Sequence, residues 1–245
     1  MRILGCVSYK GTNYQGWQKQ IDAPTIQGTI ESVLSQILNT DINIQGSGRT
    51  DAGVHAQRQY FHFDLEKDFD LNRLRYSANC LLPKDIFINE LKEVSNDFHA
   101  RFSAKGKIYT YVIRLDERSP FNYDLETNIP YEISLNLLEK SLKQFEGEHN
   151  FQDFTSKEED DDGFIRIVYS VDISFIEQIK QIVITFKGNG FMRYQIRNMI
   201  GSALAVASKK EDEDFISYHL SNKNKREIVS YKAPAEGLYL VDVNY

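Results

Sequence analysis

Ile42-Asn43-Ile44-Gln45-Gly46-Ser47-Gly48-Arg49-Thr50-Asp51-Ala52-Gly53-Val54-His55-Ala56 is a polar, glycine-punctuated stretch entered and left through strand-like runs, and its reading decides the fold. Ile42 to Gln45 alternates apolar and polar residues, and Gln59-Tyr60-Phe61-His62-Phe63 does so in part. Two strands, at about 41–46 and 54–65, therefore bracket a loop. Glycines at 46, 48 and 53 allow that loop backbone angles closed to other residues and a close approach by another backbone or a ligand.

Working outward, residues 2–9 read as a strand. Pro24-Thr25 opens a segment in which Ile26, Ile30, Val33, Leu34, Ile37 and Leu38 recur at helical spacing. Beyond the loop come a helix over 70–81, with Asp70 as its cap, and a strand over 86–94. Strand, helix, strand, strand, helix, strand is the order of a split βαβ, ferredoxin-like unit, an antiparallel sheet with its helices on one face. The second half repeats it. Lys107 to Leu115 alternates, and Ser134 caps a helix carrying Leu135, Leu138, Leu142 and Phe145 that ends near Gly147. Strands at about 164–176 and 181–187, a helix over 191–208, a short helical piece near 213–221 and a strand over 238–243 follow. The expected fold is α+β, two ferredoxin-like halves with antiparallel sheets, divided into 1–104, which carries the loop, and 105–245. With no low-complexity linker at the join near 103–106, the halves are expected to share a sheet or a tight interface, with the active-site cleft between them.

The chain of 245 residues is long enough to bury a substantial core, and 41% hydrophobic with 12% aromatic residues marks it as folded. Cys6 and Cys80 lie in apolar runs without metal-type spacing, so each reads as a small buried hydrophobe, consistent with a reducing cytoplasm. No stretch approaches the roughly twenty apolar residues that span a bilayer, so neither export nor membrane insertion is expected. A net charge of −6 argues, as a sum, against a polyanionic partner. Its distribution argues otherwise, because six acidic residues fall between Asp153 and Asp162, chiefly Glu158 to Asp162, a run that reads as a solvated loop. Arg101, Lys105, Lys107, Arg114 and Arg118, and later Lys187, Arg193 and Arg197, are candidates to line a basic cleft.

From spacing alone, Arg49 and Asp51 read either as an exposed ion pair of little consequence or as the chemical heart of the loop. Resemblance separates the two. Gly48-Arg49-Thr50-Asp51-Ala52-Gly53-Val54-His55-Ala56 resembles the signature loop of the tRNA pseudouridine synthase A family. Tyr14-Gln15-Gly16-Trp17-Gln18, Thr25-Ile26-Gln27-Gly28, Asn79 to Ile86, Phe98 to Ala104, Lys107 to Tyr111, Gly188 to Phe191, Arg197 to Gly201 and Ala233 to Tyr239 resemble further motifs of that family in the same order. The resemblance covers nearly the whole chain.

It implies isomerisation of uridine to pseudouridine in the tRNA anticodon arm, at positions 38–40 in tRNA numbering, by a cytoplasmic homodimer. Such a reaction breaks the bond from ribose C1′ to N1, turns the base and joins C5 to C1′. It gains and loses no heavy atoms and needs no cofactor or metal, and the sequence carries no phosphate loop, dinucleotide fingerprint or metal-ligand cluster. By the resemblance, Asp51 is catalytic. A carboxylate meets the positive charge that develops at C1′, either as a nucleophile or by removing a ribose proton, and the residues leave both routes open. Arg49 is the residue that fills the space left by the flipped base, since the target must leave its stack first. Tyr109 stacks on the flipped uracil, with an ordinary core aromatic as the alternative, because Tyr111 shares its parity. Arg197 matches the arginine that pairs with the aspartate and keeps it ionised, and Leu238 closes the pocket over the base. His55 and His62, on opposite faces of one strand, read as structural and do not chelate together, with His55 near enough to Asp51 to support it.

Arg193-Tyr194-Gln195 and Ser47 depart from the family pattern, as does the acidic run. Two other classes compete: an inactive RNA-binding or RNA-folding protein on the same scaffold, against which Asp51, Tyr109 and Arg197 stand, and a glycoside hydrolase, for which the loop lacks a second carboxylate.

Overall fold

β1 (Arg2–Tyr9) is a central strand, five of its eight residues buried in an unbroken run from Ile3 to Val7. It pairs antiparallel with β3 (His55–Asp64) on one side, Ile3 opposite Phe63, and with β4 (Ile86–Val94) on the other, Leu4 opposite Lys92. The short β2 (Gln45–Gly46) pairs antiparallel with the far edge of β3, Gln45 opposite His62. The order β4-β1-β3-β2, with α1 (Ile26–Leu38) and α2 (Leu71–Leu81) between strands, is the ferredoxin-like arrangement expected from the periodicity. Both helix starts follow their capping residues: Thr25 accepts from the Gly28 amide, and Asp70 from those of Asn72 and Arg73. Ile26, Ile30 and Leu34 are fully buried, each contributing on the order of 2 kcal/mol of apolar transfer. The computed structural model describes residues 1–66, 68–158, 163–221 and 225–245, so most of the acidic run, 159–162, lies outside the described residues.

The second strand is much shorter than the alternation at Ile42 to Gln45 predicts. Ile42 and Ile44 point inward and Asn43 outward as in a strand, but their backbone groups bond to side chains of α1. Ser35 Oγ accepts from the Ile42 amide at 2.9 Å, the buried Glu31 carboxylate from the Ile44 amide at 3.0 Å, and Gln27 Nε2 donates to the Ile44 carbonyl at 3.1 Å. The pattern reports burial, and the helix supplies what a neighbouring strand otherwise would.

The final strand, β10 (Leu238–Asn244), pairs parallel with β3, Tyr239 opposite His55 and Leu240 opposite Ala56. Tyr239–Tyr245 therefore belong to the first compact unit with Met1–Lys105, and the second unit is Gly106–Leu238. The sequence division at 105–245 assigned those last residues to the second half; pairing decides otherwise. Cys6 is buried as expected, but Cys80 is exposed. On α2 the inward positions are Leu74 and Ala78, four apart, and a residue two beyond Ala78 faces the opposite side.

In the second unit, β5 (Gly106–Arg114) runs antiparallel to β9 (Gln181–Gly188) over its length, β9 to β8 (Ile165–Ile176), and β8 to β7 (Gly147–Asn150). β6 (Thr127–Asn128) adds parallel to β5, an ion pair between Arg114 and Glu126 joining its start to the strand. The periodicity missed β6 and β7, which are too short to show alternation. α3 (Leu135–Lys143) starts where Ser134 accepts from the Leu137 amide and packs against α4 (Gln195–Ala207); α5 (Phe215–Leu220) follows. α4 begins four residues later than the expected 191, because Tyr194 is left-handed at φ +62 and Gln195 Oε1 reaches back to accept from the Met192 amide at 2.9 Å. Among the described residues, no helix is long and apolar enough to cross a membrane.

His62 is buried on β3, its Nδ1 accepting from the Ala100 amide at 3.1 Å and its ring 4.6 Å from that of His99. Burial first, then the charges of His99 and Arg2, push its pKa from 6.5 down to about 4. As pH falls from about 6.5 to 4, the unfolded chain takes up a proton that the folded chain resists, so this stability is present above 6.5 and is lost on acidification. The slope reaches at most about 1.4 kcal/mol per pH unit. Denaturant melts across pH 4–7 should show His62→Gln, which keeps an acceptor, flattening that slope; profiles identical to wild type would exclude His62 as the source.

Candidate active site

The loop quoted at the outset is held along its backbone. The Trp17 amide donates to the Thr50 carbonyl at 3.1 Å, the Gly53 amide to the Tyr14 carbonyl at 3.4 Å, and the Val54 amide to the Asp51 carbonyl at 3.2 Å. The last of these closes a turn from Asp51 to Val54 in which Gly53, at φ +78, occupies the position where a type II turn calls for glycine. Tyr9 and Thr50 exchange a buried hydroxyl hydrogen bond at 2.8 Å. On the entering side, the Ser47 amide donates to the Tyr60 carbonyl at 2.7 Å, and Gln59 joins Ser47 Oγ at 2.5 Å to the Gly48 carbonyl at 2.9 Å. Ser47 is thus a completely buried hydroxyl with a partner.

Arg49 is exposed and Asp51 half-buried, with fixed residues on both sides of each. A carboxylate carried on a backbone held at the start of a turn is suited to charge developing on a substrate, because less reorganisation is needed as charge forms. His55 is structural in its contacts: Nδ1 accepts from the Gly11 amide at 3.0 Å, and its ring lies 4.7 Å from that of Tyr239. It braces the strand leaving the loop. The supporting residues Tyr9, Thr50, Ser47 and Gln59 were not anticipated, since nothing in their spacing marks a contact between segments so far apart in sequence.

Tyr109, Arg197 and Leu238 lie in the second unit. Tyr109 is buried on β5 with Phe186 as its cross-strand partner, and Phe191 meets its ring edge-on at 5.5 Å. Tyr111, two residues on, is buried as well. Its ring is fully buried, its hydroxyl contacts Thr127 at 2.6 Å and donates to the Pro234 carbonyl at 3.0 Å, and burial raises its pKa far above the ordinary phenol value.

Arg197 is the one residue of α4 that is not buried. Its Nε donates to the Ala233 carbonyl at 2.8 Å and the Ala233 amide donates back to the Arg197 carbonyl at 2.9 Å, so the segment after Tyr231 is tied to the helix at that point. Leu238 is buried at the end of a turn closed by its amide on the Ala235 carbonyl at 2.9 Å. Val112 holds the same turn by donating to the Gly237 carbonyl at 2.8 Å. No group of three His, Cys, Asp or Glu side chains is placed to hold a metal ion among the described residues.

A family model described as tRNA pseudouridine synthase matches residues 6–103 and 142–245. The tRNA pseudouridine synthase A of Listeria monocytogenes serotype 4a is 35% identical over 100% of this chain and 99% of its own length. That of Aquifex aeolicus is 37% identical over 97% and 96%, and that of Streptococcus uberis 32% over 100% and 98%. The crystal structure of the archaeal box H/ACA sRNP Nop10-Cbf5 complex is similar over 82% of this chain and 43% of that chain, with 15% identity and a TM-score of 0.38, too distant to carry any residue across.

Gly16 tests the seating of the loop. At φ +87 it occupies left-handed space, and a Cβ there would stand 2.5 Å from the Thr50 carbonyl oxygen. Gly16→Ala should cost at least about 2 kcal/mol, combining left-handed strain with loss of the Trp17 to Thr50 hydrogen bond. Gly190→Ala, whose Cβ meets nothing within 4 Å, should be nearly neutral. Urea unfolding of the two variants checks the difference, and equal midpoints would mean that the loop is not held there.

Proposed function

The chain belongs to the tRNA pseudouridine synthase family, and from that premise we propose that it isomerises uridine to pseudouridine at positions 38–40 of the tRNA anticodon arm, acting as a cytoplasmic homodimer. The observation that carries the reading is the rigid loop of Arg49 and Asp51, the residues of the family's signature, in a chain that matches its relatives from end to end. Nothing observed favours an inactive binding protein.

In this proposal Asp51 is catalytic, stabilising or attacking C1′ as the glycosidic bond opens. Arg49 enters the space left by the flipped base and contacts phosphate, which offsets part of the few kcal/mol that unstacking costs. Tyr109 supplies the ring on which uracil stacks, since a phenol held edge-on by Phe191 is fixed in orientation before any base arrives. Arg197 keeps the carboxylate ionised against the desolvation that a covering base imposes, acting through its terminal nitrogens because Nε is committed to Ala233. Leu238 excludes water from above the base.

Joining C5 to C1′ displaces the C5 hydrogen, so tRNA carrying tritium at uridine C5 should release it to solvent once per turnover. Asp51→Asn should abolish release while tRNA affinity stays within about threefold, and turnover within about tenfold of wild type would remove Asp51 from its role. Arg197→Lys keeps a charge but loses the planar fork, so single-turnover release should slow by about a hundredfold with the salt dependence of binding unchanged. A wild-type rate with weakened binding would make Arg197 a phosphate contact instead. Transcripts with uridine at only one of positions 38, 39 or 40 test the site choice, and sedimentation tests the dimer.

A further inference from the structure

Three cations surround one aromatic ring in the second unit. The Arg193 guanidinium carbon lies 4.8 Å from the centroid of Tyr194, that of Arg197 5.4 Å, and the Lys232 ammonium 4.4 Å. Each is within the range at which a cation feels the negative face of a ring, which moderates their mutual repulsion without removing it. Arg193 and Lys232 are exposed, and among the described residues neither is in a salt bridge. In a chain of net charge −6, with abundant carboxylates to place beside them, two unneutralised cations on either flank of a third mark a place for an outside anion.

The cluster is built, not a chance meeting of long side chains. Arg193 is anchored through its carbonyl, which accepts from Thr155 Oγ1 at 3.0 Å and from the Ser156 amide at 3.4 Å, and its Nη2 donates to the Tyr194 hydroxyl at 3.1 Å. Tyr194 is left-handed, a conformation an aromatic residue keeps only where its surroundings impose it. Lys232 arrives from another segment, placed by the reciprocal bonds of Arg197 and Ala233 and by the close approach of its backbone to Gly201, where a Cβ would stand 2.8 Å from the Lys232 amide.

We propose that Arg193 and Lys232, spaced by Tyr194, clamp a single phosphodiester of the tRNA strand beside the target nucleotide. The clamp rests on the tRNA reading above and extends it to a named backbone contact. An RNA phosphate is the occupant argued for because a polyanion delivers its phosphate at high local concentration once the rest of the strand is bound. The placing of the clamp next to Arg197 also ties strand register to the reacting nucleotide.

Binding of wild type, Arg193→Ala, Lys232→Ala and the double variant to tRNA across salt is the test, with melting curves to confirm folding. One shared phosphate predicts that either single substitution lowers the slope of log affinity against log salt by less than one, and that the double lowers it by about one. Lys232→Arg should restore the wild-type slope. Slopes and affinities equal to wild type overturn the proposal; a double variant that loses about two units replaces the clamp with two separate contacts. Inorganic phosphate that binds in an Arg193-dependent way, with the tRNA slope unaffected, makes the occupant a free anion and overturns it too. Tritium release by wild type is read in parallel: tRNA binding without release refutes the isomerase reading and leaves the clamp standing.

Discussion

A buried carboxylate stands in for a strand, and much of the first unit follows from it. Glu31, on the inner face of α1 and almost wholly buried, accepts from the Ile44 amide at 3.0 Å, from Gln27 Nε2 at 2.9 Å and from Lys19 Nζ at 2.9 Å. A buried charge with three donors is tolerable where an unpaired one is not. Because the helix satisfies the backbone before Gln45, β2 need only be two residues long, and the rest of the β3 edge is left to another partner. β10 takes it at His55 and Ala56, immediately beyond the loop of Asp51. The strand that leaves the signature loop is therefore paired on both sides, with β1 and β10, and the loop rests on that base.

The same economy explains the loop itself. Its shape is set by hydrogen bonds to its backbone from Trp17 and Gln59, by the bond of Gly53 to Tyr14, and by the turn that the Val54 amide closes on the Asp51 carbonyl. In the second unit Arg197 follows a related plan. It is the half-buried break in an otherwise buried helix, its Nε steered by the Ala233 carbonyl.

The features legible in the sequence are those with a local cause. The capped starts of α1, α2 and α3 at Thr25, Asp70 and Ser134, the long strands β3, β4, β8 and β9, and the signature loop were all readable because composition and period act within a few residues. The misreadings share the opposite cause. Ile42 and Ile44 alternate because they are buried, and only the identity of their distant hydrogen-bond partners distinguishes that from a ladder. Tyr194 interrupts α4 at a place where apolar spacing continues through Phe191 and Met192, and Cys80 sits among apolar neighbours on the outward face of α2. The company kept by Tyr194, with a cation from residue 232, was likewise beyond the reach of spacing.

The return of β10 to β3 has a consequence for biogenesis. Tyr60 and Asp242, whose side chains meet in the first unit, are 182 residues apart along the chain. Translation passes through the whole of the second unit before the edge of β3 can be completed, so the nascent first unit waits with an open strand beside its signature loop. Contacts of such separation are formed late and slowly, because a long loop must close before any interaction compensates for it. β10 is thus the closing act of assembly for the first unit, and a chain broken off before Tyr239 leaves that unit unfinished at the very strand that follows the loop of Asp51.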